Sequence, residues 1–108
     1  MAGKTQAGSG GTPPAPLERS VVKGILAWLN NLPDCHAVKT IGGIYMAGWP
    51  DIIGVFRGRA LALEVKRPGG KATKLQLATL DKWKAAGALA GVVTSIEEAR
   101  RIIEEVSP

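Results

Sequence analysis

Residues 48–66 read Gly-Trp-Pro-Asp-Ile-Ile-Gly-Val-Phe-Arg-Gly-Arg-Ala-Leu-Ala-Leu-Glu-Val-Lys, and most of the architecture can be worked out from them. Residues 51–56 are apolar on both faces, the pattern of a central strand. Arg57-Gly58-Arg59 is a tight turn, and residues 60–66 form a second strand, most simply paired antiparallel with the first. Side chains two apart on a strand share a face, so Glu64 and Lys66 project together beside Ala60 and Ala62. Leu61, Leu63 and Val65 make an apolar row on the other side. Small residues beside the charges predict a cleft or a helix-covered face. Pro50 fixes its own φ and biases Trp49 toward extended geometry, so Asp51 enters its strand in a defined direction. A short turn pairs the far ends of this hairpin, Asp51 with Lys66 or a near neighbour. The Asp51 and Glu64 carboxylates are therefore expected to approach one another at the mouth of the sheet.

Upstream, Leu17, Val21, Ile25, Trp28, Leu29 and Leu32 recur at helical spacing and the run stops before Pro33. This predicts an amphipathic helix with Arg19, Lys23 and Asn30 toward solvent. Residues 37–41 read as a short strand and 42–50 as a glycine-rich loop. Residues 1–16 are rich in Gly, Ala, Thr, Ser and Pro without hydrophobic periodicity, and are expected to be a disordered tail. Downstream, 67–72 is a basic loop with two glycines. Thr73 and Gln76 form a capping-box pattern for a helix running to about Ala86, with Gly87 as its stop. Residues 88–94 read as a buried strand. Ser95 and Glu98 form a second capping box opening a last helix, whose apolar face is Ile96, Ala99, Ile102, Ile103 and Val106. The expected order is α-β-β-β-α-β-α: an α/β domain over residues 17–108, with a mixed four-stranded sheet flanked by helices.

A chain of 108 residues has room for one compact domain. Its single cysteine, Cys35, excludes an internal disulfide and suits a reducing compartment. No apolar run has the length of a membrane span and residues 1–12 lack the core of a secretory signal, so a cytoplasmic location is the expectation. A net charge of +5 suits a polyanionic partner, of which nucleic acid is the usual one. The same charge also serves solubility alone, so a motif has to decide. Cys35 and His36 point to opposite faces of an extended segment, and no further Cys or His is present to complete a zinc site. Neither Gly42-Gly43 nor Gly69-Gly70 is followed by the Lys-Ser/Thr of a phosphate-binding loop, so no nucleotide cofactor is expected.

The motif is the acid pair with its lysine. Two carboxylates held close repel unless a cation lies between them or one takes a proton. Oxygen-only ligands with open positions suit Mg²⁺ or Mn²⁺, which keep several waters and bind phosphate oxygens. Lys66 adds positive charge where a phosphodiester would be attacked. Taken alone, Glu-x-Lys on a strand is usually a solvated sheet face, and Gly-x-Pro-Asp is an acceptable turn. On adjacent strands, followed by a basic Gly-Gly loop and a capped helix, the combination is much more specific.

From Gly48 to Ile103 the sequence resembles the VRR-NUC branch of the PD-(D/E)xK nucleases. The resemblance rests on Gly48-Trp49-Pro50-Asp51, Glu64-Val65-Lys66-Arg67-Pro68-Gly69-Gly70, Gln76, Ala86-Gly87 and Val93-Thr94-Ser95. It covers about half the chain closely and the first helix more loosely. It implies a restriction-endonuclease-like fold and divalent-metal-dependent hydrolysis of DNA phosphodiesters. It also implies Asp51 and Glu64 as metal ligands with the Val65 carbonyl as a third, Lys66 as the residue that orients or polarises the attacking water, Gln76 as a catalytic residue lining the site, and Glu18 as the first-helix acid and a further metal ligand. Single-domain members resemble junction resolvases, are often homodimers and are typical of phages.

Glu18 also reads as an acid complementing the dipole of its helix, although it shares a stripe with Val22, Ile25 and Leu29 that would carry it inward. Gln76 also reads as a capping residue. Arg67, Lys71 and Lys74 adjoin the expected site and are the better candidates for DNA phosphates, ahead of Arg57 and Arg59. Trp49 reads as a base-stacking residue or as a side chain resting on Pro50; Trp28 and Trp83 sit at helical core spacing. The favoured function is a structure-selective DNA endonuclease. The alternatives are a junction resolvase acting as a symmetric dimer, a non-catalytic DNA-binding module of the same fold, and a protein-interaction domain with a basic surface.

Overall fold

The computed structural model describes residues 17–42 and 44–105. The expected tail, Gly43 of the glycine-rich loop and Val106 of the last helix lie outside the described residues. The elements run α1 (Glu18–Asn30), β1 (Cys35–Lys39), a short 3-10 turn (Ile44–Met46), β2 (Ile52–Phe56), β3 (Arg59–Val65), α2 (Lys74–Ala85), β4 (Leu89–Val93) and α3 (Ile96–Glu104). This is the order expected from the sequence, with the 3-10 turn added inside the glycine-rich loop.

The sheet has the order β1-β2-β3-β4; β1 to β3 are antiparallel, and β4 joins β3 in parallel after the α2 crossover. The antiparallel hairpin forms where it was read, but Arg59 pairs with Phe56 and belongs to β3, so the turn is two residues long and β3 ends at Val65, one residue earlier than read. Arg57 (φ 50°) and Gly58 (φ 83°) both take positive φ, the two-residue turn whose twist matches that of the strands it joins. Leu61, Leu63 and Val65 face one core with Ile52 and Phe56, roofed by Val22, Ile25 and Leu29 of α1 and by Ala99 and Ile103 of α3. On the opposite face, Ala62 and Ala90 meet Leu80 and Trp83 of α2. Trp28 lies against the first core with the Arg100 guanidinium over its ring, so both helical tryptophans are structural.

Several expectations need correction. β1 lies two residues earlier than read, because Cys35 and His36 already pair with Phe56 and Val55 of β2; the Asn30 side chain bonds both Ala37 N–H and Ala37 C=O, anchoring the strand to α1. Asn30 is therefore a strand anchor as well as a solvent-facing residue. β2 is not covered on both faces: α2 lies over β3 and β4, leaving Val55 half exposed. The capping box at α2 is complete, and Gly87 (φ 108°) ends that helix. At α3 only half the box forms. Ser95 Oγ accepts from Glu98 N–H, but the Glu98 carboxylate turns to Thr94 N–H and Oγ instead of the Ser95 amide. Ile96, counted with the apolar face of α3, is exposed in the first turn.

Candidate active site at the mouth of the sheet

β2 and β3 pair Ile52 with Leu63, and one further step in this register sets Asp51 opposite Glu64. The next step would set Pro50 opposite Val65, and proline has no N–H for a ladder. The Val65 N–H donates instead to Asp51 Oδ2 at 2.8 Å, which fixes the carboxylate over the end of β3. Thr40, just past β1, holds the same segment from the other side. Its N–H donates to Asp51 C=O at 2.8 Å and its hydroxyl to Pro50 C=O at 2.8 Å. No sequence pattern marked Thr40; it read as an ordinary strand residue, and only the β1–β2 register brings it here. Gly48 (φ 82°) lets the loop lie against α2, where an added Cβ would come 2.7 Å from Leu75 Cγ.

Glu64 is the one buried charged side chain among the described residues. Its Oε2 lies 3.5 Å from Lys66 Nζ, and its Oε1 is buried with no hydrogen-bond partner. Burial, then the neighbouring Asp51 carboxylate, push its carboxyl up to about 7, while Lys66 pulls the other way. Lys66 Nζ is also 4.0 Å from Glu18 Oε1. Asp51, Glu64, Lys66 and Glu18 are thus brought together, Glu18 through the lysine and not directly to the acid pair. Val65 contributes main chain here, its side chain being buried in the core.

The other sequence candidates lie around this centre. The Gln76 carbonyl oxygen accepts from Thr73 N–H at 2.8 Å, so its side chain is engaged in the capping box. Arg67, Lys71 and Lys74 are exposed on the loop after β3 and at the start of α2. Trp49 is 44% exposed beside Pro50. Arg59 is bonded to Gly87 C=O and Arg57 lies over Phe56, both at the turn end of the hairpin. Burial raises the Cys35 thiol above its ordinary value, which disfavours a nucleophilic role.

Among the described residues, no three His, Cys, Asp or Glu side chains are grouped to hold a metal ion. The acid pair still suits a hard cation. It supplies two neighbouring carboxylates, and the partnerless Glu64 Oε1 lacks the electropositive neighbour that a cation would give it.

No family model matches the sequence, and no curated protein matches it. Solved structures do. One described as a VRR_NUC domain protein has a TM-score of 0.66 at 21% identity, covering 84% of this chain and 88% of that one. Another, described as a VRR_NUC domain, has a TM-score of 0.65 at 27% identity, covering 81% of this chain and 94% of that one. The mixed sheet between helices is consistent with the PD-(D/E)xK-like class. The chain has the fold of these VRR_NUC domain structures. No helix among the described residues is long and apolar enough to cross a membrane.

Proposed function

We propose that the protein is a metal-dependent DNA endonuclease, with branched DNA as its preferred substrate. The observation that carries this reading is the buried, partnerless Glu64 oxygen beside Asp51 and Lys66. Asp51 and Glu64, with the Val65 carbonyl, would hold Mg²⁺ or Mn²⁺. Such a cation, when bound, lowers the pKa of a coordinated water and offsets charge on a phosphodiester. The protein's own contribution is positional. Thr40 and the Val65 amide fix Asp51, and the core beneath β3 fixes Glu64. Lys66, tethered between Glu64 and Glu18, presents an ammonium group where negative charge develops on the phosphate. Arg67, Lys71 and Lys74 would bind flanking phosphates, Trp49 would stack on a base, and Gln76 would line the pocket from α2.

Incubation of labelled four-way junctions, flaps and plain duplex with Mg²⁺ or Mn²⁺ tests the reading. Cutting is expected from the wild type, favouring branched DNA, and is expected to fall by at least about a hundredfold in Asp51→Ala and Lys66→Ala. Cutting that survives both substitutions, or proceeds equally well with chelator, contradicts it. Paired symmetric nicks in a junction, together with a dimer in solution, would favour the resolvase form.

A further inference from the structure

The acidic centre would repel a polyanion unless cations flank it, and Arg67, Lys71 and Lys74 supply them only on the β3–α2 side. On the opposite side is an open groove of about 310 Å³, lined by Arg19, Ser20, Val22, Lys23, Leu26 and Lys39. Arg19, Val22, Lys23 and Leu26 follow one stripe of α1, so two cations and two apolar residues share a helix face. Lys39 closes the groove from the end of β1, its Nζ donating to Thr40 C=O at 3.0 Å. Among the described residues none of the three cations is paired with a carboxylate. All three are exposed.

The groove adjoins the site at two points. Arg19 follows Glu18, which reaches Lys66, and Lys39 precedes Thr40, which holds Asp51. Unpaired cations on a shallow wall with an apolar floor suit a flexible run of phosphates and sugars better than a compact ion needing full enclosure.

We propose that Arg19, Lys23 and Lys39 form a second phosphate-backbone subsite, which carries the DNA strand across α1 and β1 on the side of the acid pair opposite Arg67, Lys71 and Lys74. This inference rests on the nuclease reading, and its test separates the two. Binding of a fluorescent duplex is measured against salt concentration, in chelator so that nothing is cut. The wild type is compared with Arg19→Gln/Lys23→Gln/Lys39→Gln and with the charge-matched control Lys82→Gln/Lys84→Gln/Arg101→Gln. Each phosphate that a cation no longer neutralises lowers the slope of log K against log salt by about 0.9, so the groove variant is expected to lose about 2 to 3 from the slope. The control is expected to lose less than about 1. Because the three side chains are exposed, thermal melting of the groove variant should match that of the wild type. Equal slopes in the groove variant and the control overturn the subsite and leave the nuclease reading standing. Absence of salt-sensitive binding by the wild type overturns both.

Discussion

Glu64 is held between opposing influences. The fold buries it and sets Asp51 beside it, which favours the protonated carboxyl, while Lys66 favours the ionised one, and the balance puts its pKa at about 7 against an ordinary 4.5. A carboxyl raised in the folded state contributes stability that is fully present below the unfolded value and is lost as pH rises through the folded value. The metal-free protein is therefore expected to melt several degrees lower at pH 8 than at pH 5, with the loss falling between about 4.5 and 7. Glu64→Gln removes the ionisable group but keeps its shape, so its melting temperature should change less over the same interval. Calorimetry of both proteins across this range checks the point. An equal fall in both would mean that Glu64 is not the strained group.

At the scale of elements, the β2–β3 hairpin and α2 set the site together, and Gly48 is where they meet. Gly48→Ala introduces a Cβ 2.7 Å from Leu75 Cγ at a φ of 82°, so the Leu75 side chain or the loop must shift and the backbone is strained. A loss of about 1–3 kcal/mol is expected. Gly42→Ala, with nothing within 4 Å of its added Cβ, should change stability by less than about 0.5 kcal/mol. Denaturant unfolding of the two variants checks this, and equal stabilities would remove the close approach as the reason for a glycine at 48. The hairpin, the crossover helix and its complete cap were legible because each follows from local rules: period-two alternation, a positive-φ turn and reciprocal capping. The start of β1 was not legible, because it depends on Cys35 and His36 pairing with Phe56 and Val55 of β2, which leaves no periodic trace in β1 itself. The half-formed cap at α3 was hidden for a similar reason, since Ser95-x-x-Glu98 does not reveal that Thr94 competes for the carboxylate.

Across the whole molecule, three of the nine acids, Glu18, Asp51 and Glu64, meet at one end of the sheet while exposed cations lie on both sides of them. The sequence disclosed the acid pair and its lysine because strand alternation and one short turn suffice to bring them together. It did not disclose Thr40 as the clamp on Asp51, nor the groove on α1, because both depend on how β1 lies beside β2. Nor did it choose between the two readings of Glu18; the structure sets its carboxylate against Lys66, an arrangement that orients the lysine. The proposed chemistry depends above all on Asp51 and Glu64 being a cation-binding pair. Electron paramagnetic resonance of Mn²⁺ titrated with the protein at pH 8 is its sharpest test. The wild type is expected to deplete the free-ion signal, Asp51→Asn and Glu64→Gln each to abolish most of the depletion, and Arg101→Gln to leave it intact. A wild type that leaves Mn²⁺ free, or acid-pair variants that bind it as the wild type does, would contradict the assignment.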